Sequence, residues 1–321
     1  MTSQDLKTLM GECLREVRVI VTGGAGFIGS HLTEKLVNLG ADITVVDNFS
    51  TGRKDNLKDF IKNINLIEAD ISEEGEWQKC FQDADWVIHL AALADIVPSI
   101  ENPRKYFESN VTGTLNVLEA AKKSNIKRLI YSASSSCYGI PKNYPTNENS
   151  QIDTRYPYAL TKYLGEELIL HWEKVFKIPS ISLRFFNVYG TKSRTSGTYG
   201  AVFGVFLAQK LKKKPFTVVG DGTQTRDFTY VSDVVEAIVA AAKSNISGEI
   251  INIGSDNTYS VNQLVDLLGG EVIYIPKRPG EPDCTWADIT KAKKMLDWTP
   301  KISLSDGVKF LLEDIDYWKE A

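Results

Sequence analysis

Tyr158 and Lys162 stand four residues apart at the start of a helical stretch, which puts a phenol and an ammonium on one helix face. A phenol titrates near ~10 when unperturbed, too high for a general base at neutral pH. A neighbouring cation favours the phenolate and lowers that value. The spacing therefore fits removal of a proton from a hydroxyl, although Tyr-x-x-x-Lys alone reads equally well as a surface pair. Ser132-Ala133-Ser134-Ser135-Ser136 adds hydroxyls directly after an apolar run at 129–132. A parallel sheet holds its ligands at that carboxyl edge. Hydroxyls there can bridge the tyrosine oxygen and a substrate hydroxyl, and serines at a strand end also make plain turns.

A second group of residues suits an anion. Thr22-Gly23-Gly24-Ala25-Gly26-Phe27-Ile28-Gly29 follows the first apolar run and opens a helix. Glycines at 23, 26 and 29 let the chain turn tightly, approach a pyrophosphate and pack on the strand, while the helix N-terminus offers N–H donors. Asp47 closes the second apolar run, eighteen residues after Gly29. An acid at that point accepts hydrogen bonds from a ribose 2′-hydroxyl and repels a 2′-phosphate, which favours NAD over NADP. Asn48, Phe49 and Ser50 follow it without a cation. Asp70-Ile71 reads either as the flank of an adenine or as an ordinary turn at a strand end.

Positioning these groups falls to an alternation of short apolar runs and helical stretches. Runs at 17–21, 43–46, 64–67, 86–90 and 129–132 have the continuous hydrophobicity of strands buried on both faces, and helices are predicted up to 39 and over 111–121. Such alternation predicts an α/β fold with a doubly wound parallel (Rossmann) sheet. Further on, 180–184 reads as a strand, 190–200 as a loop, 231–242 as a helix and 249–253 as a strand returning to the sheet. The segments 203–219 and 260–318 lack the strand–helix rhythm. They read as a smaller mixed α/β substrate domain assembled from two pieces of chain. The expected division is an N-terminal extension at 1–16, a dinucleotide domain at 17–186 plus about 226–256, and a substrate domain at about 187–225 plus 257–321.

Composition removes several classes of function. The 321 residues carry 37 basic and 41 acidic side chains, a net charge of −4 that recommends neither nucleic acid nor an anionic membrane as partner. No window approaches the ~18–20 apolar residues of a spanning helix. Residues 1–16 include Asp5, Glu12 and Glu16 and do not read as a secretory signal. Leu6, Leu9, Met10, Cys13 and Leu14 have the spacing of a short packed helix instead. Cys13, Cys80, Cys137 and Cys284 are scattered, which matches neither a disulfide framework nor a zinc site and suits a reducing cytoplasm. No metal site is expected.

The glycine loop, Asp47, His89-Leu90-Ala91-Ala92, the serine run, Tyr158/Lys162 and Arg184-Phe185-Phe186-Asn187-Val188-Tyr189-Gly190 occur in the order of the extended short-chain dehydrogenase/reductases. More narrowly, the chain resembles the nucleotide-sugar 4-epimerases of the UDP-glucose/UDP-N-acetylglucosamine type, from about residue 17 to the C-terminus. That resemblance implies Ser134 as the catalytic hydroxyl, set by its distance from Tyr138-Gly139, and Ser136 as a second hydroxyl. It implies Tyr158 as the base, with Lys162 as its partner and as a contact of the nicotinamide ribose. Asn110, in Glu108-Ser109-Asn110-Val111, takes the place of an asparagine that supports the active site, and Leu90, Ala91 and Ala92 line the cofactor. On the substrate side it implies Asn187 and Arg226 at the diphosphate and the Tyr199-Gly200-Ala201-Val202 backbone at uracil. Arg278 becomes a second arginine on the diphosphate, and Glu281 an acid on the nucleotide ribose. Paired guanidiniums suit a diphosphate because each offers charged, bidentate hydrogen bonds.

Related chemistries lack their tools. Sugar-nucleotide dehydratases of this family place an Asp-Glu pair where this chain has Ser135 and Ser136, and the decarboxylases carry a glutamate at the position of Ser136. Cys137 directly precedes Tyr138, one residue short of the cysteine that 3,5-epimerase/reductases use. Thr285 occupies the place of a bulky tyrosine in strict glucose/galactose enzymes, and the smaller side chain favours tolerance of an N-acetyl group. Asp95 and Val97-Pro98 depart from the usual sequence of a loop near the sugar, so a uronic acid stays open. Three readings follow: a C4 epimerase of UDP-hexoses with tightly held NAD, a reductase of 4-keto sugars, and a dinucleotide sensor without catalysis. A homodimer is also expected by resemblance, through helices over 103–123 and 158–176. Their apolar residues are Val111, Leu115, Val117 and Leu118 with Leu160, Leu164, Leu168 and Ile169.

Overall fold

The computed structural model describes residues 13–194, 202–276 and 282–315. Six short strands alternate with helices in the first half: β1 (Arg18–Thr22), β2 (Asp42–Asp47), β3 (Ile64–Glu68), β4 (Trp86–His89), β5 (Arg128–Ser134) and β6 (Ser180–Phe185). Then come β7 (Val188–Tyr189), β8 (Phe216–Val219), β9 (Thr225–Arg226), β10 (Thr229–Tyr230), β11 (Glu249–Ile253), β12 (Tyr259–Ser260) and β13 (Val272–Ile275). β11 joins the first six in a seven-stranded parallel sheet of order β11-β6-β5-β4-β1-β2-β3. This is the doubly wound sheet that the apolar runs predict, with the chain reversing direction between β1 and β4. Ligands of such sheets sit outside that switch point. The register matters for the site, since Thr22 lies opposite both Val46 and His89 and the ends of three strands are level.

Both faces of the sheet are covered. Leu32 and Leu36 of the helix Phe27–Asn38 pack on one face with Val234, Ile238 and Ala241 of the helix Val231–Lys243. Val117 and Leu118 of the helix Gly113–Lys122 cover the other with Ile169 of the helix Pro157–Phe176. The second of these helices starts on Pro157, whose fixed φ suits a first turn, and stops at Lys177 in the left-handed conformation. Its buried face runs through Ala159, Thr161, Lys162, Gly165, Glu166 and Ile169, so one chemically demanding stripe lies against β5 and β6. Gly165 is obligatory there, because a Cβ would run into the Tyr131 hydroxyl.

One helix differs from its expectation. The predicted 111–121 helix begins at Gly113 and is preceded by a π-helical turn, Glu108–Thr112, running on from the helix Pro103–Phe107. A π turn carries one extra residue and marks functional sites more often than chance. Asn110 sits within it.

A separate hydrophobic core holds the second lobe. Tyr189 and Phe203 stack at 4.3 Å, and Phe206, Leu264, Leu304 and Val308 from helices Val202–Leu211, Val261–Leu268 and Leu304–Glu313 pack round them with Phe216 of β8. β8 and β13 pair in parallel on this lobe, and β9 pairs with β12 antiparallel.

Candidate functional site

At the carboxyl ends of β1, β2 and β4 the backbone forms a cradle. Gly23 has φ +72°, and a Cβ there would stand 2.7 Å from the Ala91 amide nitrogen. A Cβ on Gly29 would run into the Gly23 carbonyl. Gly26 caps the helix Phe27–Asn38 without a side chain, so the first-turn N–H groups at Phe27 and Ile28 are left for a ligand. Asp47 is buried, its Oδ2 accepting from Ala25 N at 2.9 Å and its Oδ1 from Phe49 N at 2.8 Å. Burial pushes this carboxyl upward, and those two amides oppose the shift. Gly52 closes the loop over it, since a Cβ there would lie 2.8 Å from Oδ1. Asn48 ties the next loop to Asp70 through Nδ2 at 2.8 Å, and its Oδ1 accepts from Ser50 N at 3.0 Å. Ile71 is buried, with its carbonyl accepting from Asn116 Nδ2 at 2.9 Å.

Catalytic candidates meet one layer away. Ser134 ends β5, where its Oγ accepts from Ser136 Oγ at 2.9 Å and is hydrogen-bonded to the Tyr158 phenol. Burial raises the phenol above its ordinary value and the Ser134 contact draws it back. The expected lowering by Lys162 is not what this conformation gives. Lys162 Nζ lies instead over the Tyr131 ring, 4.4 Å from its centroid, and burial pushes the ammonium down to about 7. Asn110 holds this region together: Oδ1 accepts from Leu93 N at 2.7 Å, and Nδ2 donates to Leu93 O and to Thr161 Oγ1, both at 3.0 Å. Thr161 in turn donates to the Tyr158 carbonyl at 3.0 Å. His89 extends the chain toward the cradle. Thr114 donates to Asn110 O at 2.6 Å, so it accepts from His89 Nε2 at 2.9 Å, leaving Nδ1 to accept from Thr22 at 2.7 Å. Burial pushes His89 down to about 3, so it stays neutral.

On the second lobe, Asn187 and Thr285 come together across 98 positions of sequence, with Nδ2 donating to Thr285 Oγ1 at 2.7 Å and to Asp227 O at 3.1 Å. Both amide protons are thereby spent, and in this conformation Asn187 has no donor for a diphosphate. The Thr285 hydroxyl also accepts from Asp227 N at 3.3 Å. Arg226 lies on β9, opposite Tyr259, and Nη1 donates to Thr225 O at 2.8 Å. Val202 opens the helix Val202–Leu211, whereas Ala201, Arg278 and Glu281 lie outside the described residues.

Residues 19–254 match the NAD dependent epimerase/dehydratase family. A putative UDP-glucose 4-epimerase from Methanocaldococcus jannaschii is 40% identical over 299 residues, which is 91% of this chain and 96% of the relative. The chain belongs to the NAD-dependent epimerase/dehydratase family. Among solved structures, the Bacillus cereus UDP-glucuronic acid 4-epimerase, in complex with UDP-glucuronic acid and NAD, superposes with a TM-score of 0.86 at 36% identity, covering 95% of this chain and 99% of the other. The Methanobrevibacter ruminantium M1 UDP-N-acetylglucosamine 4-epimerase, in complex with UDP-N-acetylmuramic acid, gives 0.88 at 30% identity over 94% of this chain and 100% of the other.

The cofactor of this family fits the cradle. Gly23 packs on Ala91 and Gly29 on Gly23 with no room for a side chain, which keeps the loop low at the strand ends. The first-turn amides of the helix Phe27–Asn38 have no side-chain cap, and a carboxylate stands at the end of β2. Among the described residues, no three His, Cys, Asp or Glu side chains are placed to hold a metal, and no helix is long and apolar enough to cross a membrane.

Sequence reasoning passed over the roles of four charged residues near the site. Asp95, at φ +80°, heads the helix Ile96–Glu101 without capping it, and its charge acts on Tyr158. Arg194 pairs with it at 3.7 Å. Glu166 and Arg184 form a buried pair beneath Lys162. A lone acid or arginine has no spacing signal, but Glu166 does continue the four-residue rhythm of Tyr158 and Lys162.

Proposed function

We propose that this protein inverts C4 of a UDP-hexose by reversible oxidation through a 4-keto sugar, with UDP-glucose/UDP-galactose and the N-acetylated pair as substrates. The observation that carries it is the hydroxyl cluster Ser134–Ser136–Tyr158 at the end of β5, beside a buried lysine and without a carboxylate at 135 or 136. Elimination of water or loss of carbon dioxide needs a further acid or base at those positions. Oxidation and its reversal need, beside a cofactor that takes and returns the hydride, only one protein group that takes and returns the proton. Tyr158 takes the proton of the sugar 4-hydroxyl, Ser134 bridges the two oxygens, and Lys162 as ammonium favours the phenolate. When bound, NAD supplies the acceptor for the C4 hydride and a positive ring beside the phenol. Burial alone works against ionisation of Tyr158, so these positive charges have to supply its activation. Arg226 and Arg278 hold the diphosphate. Asn187 joins them once the sugar nucleotide draws its amide from Thr285.

A second reading has a specific observation behind it. Arg194 is half exposed and pairs only loosely with Asp95 beside Tyr158, so a sugar carboxylate at C6 would find a guanidinium there. The 36% identity to a UDP-glucuronic acid 4-epimerase agrees with this. Incubation with UDP-glucose, UDP-N-acetylglucosamine and UDP-glucuronic acid separately, with NMR of the C4 epimers, decides between them. Conversion of none, by protein that carries NAD, refutes both.

The active unit under this reading is a homodimer. Val117, Leu118 and Ile169 of the expected interface are fully buried against the sheet and cannot serve. Leu115, Ile100, Phe107, Val175 and Phe176 are exposed on the same group of helices and can. Light scattering that shows only monomer at micromolar concentration refutes the assembly.

A further inference from the structure

Tyr158, Lys162 and Glu166 repeat at four-residue intervals on the helix Pro157–Phe176 and so share one face. Lys162 is 4% exposed and Glu166 1%. Glu166 is gripped by Arg184 of β6: Nη2 meets Oε1 at 2.5 Å, Nε meets Oε2 at 3.0 Å, and Ser182 Oγ adds a third donor to Oε2 at 2.8 Å. The guanidinium is anchored from its other side by Nη1 donating to the Tyr138 hydroxyl at 2.8 Å, which donates to Asn252 Oδ1 at 2.8 Å. Three such donors fix the Glu166 carboxylate in one rotamer. Buried ion pairs are seldom worth more to a fold than well-packed apolar residues of the same volume, so stability alone does not account for this one.

Lys162 has the complementary need. Its ammonium rests on an aromatic face and beside a neutral histidine, and a buried ammonium without a counter-charge gives up its proton. We propose that Glu166, locked by Arg184, is the counter-charge that keeps Lys162 protonated, which makes Glu166 a positioning residue one helical turn from the reacting pair. The inference rests on the reading of Tyr158 and Lys162 given above. Facing Lys162 are His89 from β4, Tyr131 from β5, and Tyr158 and Glu166 from its own helix. Facing Glu166 are Arg184, Tyr131, Tyr163 and Cys137. The phenols and the thiol are pushed upward, which leaves Glu166 as the acidic partner in this group. It holds Lys162 up against the lowering by burial.

The direct test is an NMR titration of the Lys162 side-chain nitrogen in 15N-lysine-labelled holoprotein. Glu166→Gln moves that titration to lower pH by about one pH unit or more, the usual scale for loss of a close opposite charge. Glu166→Asp retains the charge and most of the wild-type value. The double variant Glu166→Gln/Arg184→Met removes the guanidinium together with its carboxylate, so no buried Arg184 charge is left without its partner. It recovers folding stability but keeps the lowered Lys162 titration, which separates an electrostatic role from packing. The alkaline limb of kcat follows the titration, with turnover above it falling about tenfold per pH unit, while KM for the UDP-sugar is unchanged. An unchanged Lys162 titration in Glu166→Gln, or a wild-type value in the double variant, overturns the proposal. Should Glu166→Gln fail to fold, the double variant carries the comparison alone. Wild-type protein that holds NAD yet turns over no UDP-sugar overturns the catalytic reading instead, and the titration distinguishes the two failures because it needs no turnover.

Discussion

Asp47 has two tasks in this structure, and they can be separated by substitution. Its carboxylate takes the amides of Ala25 and Phe49, which lie on opposite sides of the cradle. Asp47→Ala leaves both donors without a partner. A buried orphan N–H costs about 1–3 kcal/mol. Ala25 is fully buried and Phe49 half-buried, so the second amide is partly repaid by water, and the cofactor-free protein should lose about 2–4 kcal/mol. The charge itself contributes nothing to that sum, because burial raises this carboxyl and so disfavours its ionised form in the fold. Asp47→Asn keeps one acceptor oxygen and turns an NH2 toward the other amide, so one of the two donors is still orphaned, and the cofactor-free fold should lose about 1–2 kcal/mol, less than in Asp47→Ala. If Asp47 is the acid that takes the cofactor ribose, both variants should release NAD on gel filtration. Urea unfolding of apo wild type, Asp47→Asn and Asp47→Ala measures the first effect, and the dinucleotide released on denaturation measures the second. Equal apo stability of the two variants would refute the idea that the carboxylate organises the loop before any ligand arrives.

Other outcomes follow from the same geometry. Gly29→Ala forces a methyl into the Gly23 carbonyl and should cut NAD content at least tenfold, measured as dinucleotide per protein; full occupancy would show that the cradle opens freely. The dinucleotide recovered from wild type should be NAD, since Asp47 is followed by Asn48, Phe49 and Ser50, and recovery of mainly NADP would contradict the role given to the acid. Thr285→Tyr should depress kcat/KM for UDP-N-acetylglucosamine at least tenfold more than for UDP-glucose, provided Thr285 borders the sugar; equal losses would place it elsewhere.

Much of the sheet was legible because strands buried on both faces tend to be apolar runs, as β1, β2, β4 and the start of β5 largely are. β6 instead alternates Ser180, Ser182 and Arg184 with apolar residues, and two of these polar side chains bind Glu166. The cradle was legible for a related reason. Backbone packing as close as that of Gly23 on Ala91 admits no side chain, so the sequence has to spell glycine. Contacts made across long stretches of chain leave no such mark. The pairing of Asn187, between β6 and β7, with Thr285, next to the bridge from Cys284 to Thr225, joins segments 98 residues apart, and neither residue type announces it. The π turn at Asn110 is equally silent, since an extra residue in a helix leaves its composition unchanged. Lys162 shows a subtler gap. Spacing placed it on the tyrosine's helix face, but only the fold reveals that Tyr131 lies beneath it and that an acid one turn further on is gripped by Arg184.

The central claim is that Tyr158 takes the proton of the sugar 4-hydroxyl while the C4 hydrogen leaves and returns without meeting solvent. UDP-glucose labelled with deuterium at C4, incubated in ordinary water with wild type and with Tyr158→Phe, tests it most directly. Wild type should yield the C4 epimer with its deuterium retained. General-base catalysis is typically worth ~10²–10⁴-fold, so Tyr158→Phe should turn over slower by at least that order while still carrying NAD. Loss of the label to water, or near-normal turnover by the phenylalanine variant, would contradict the account.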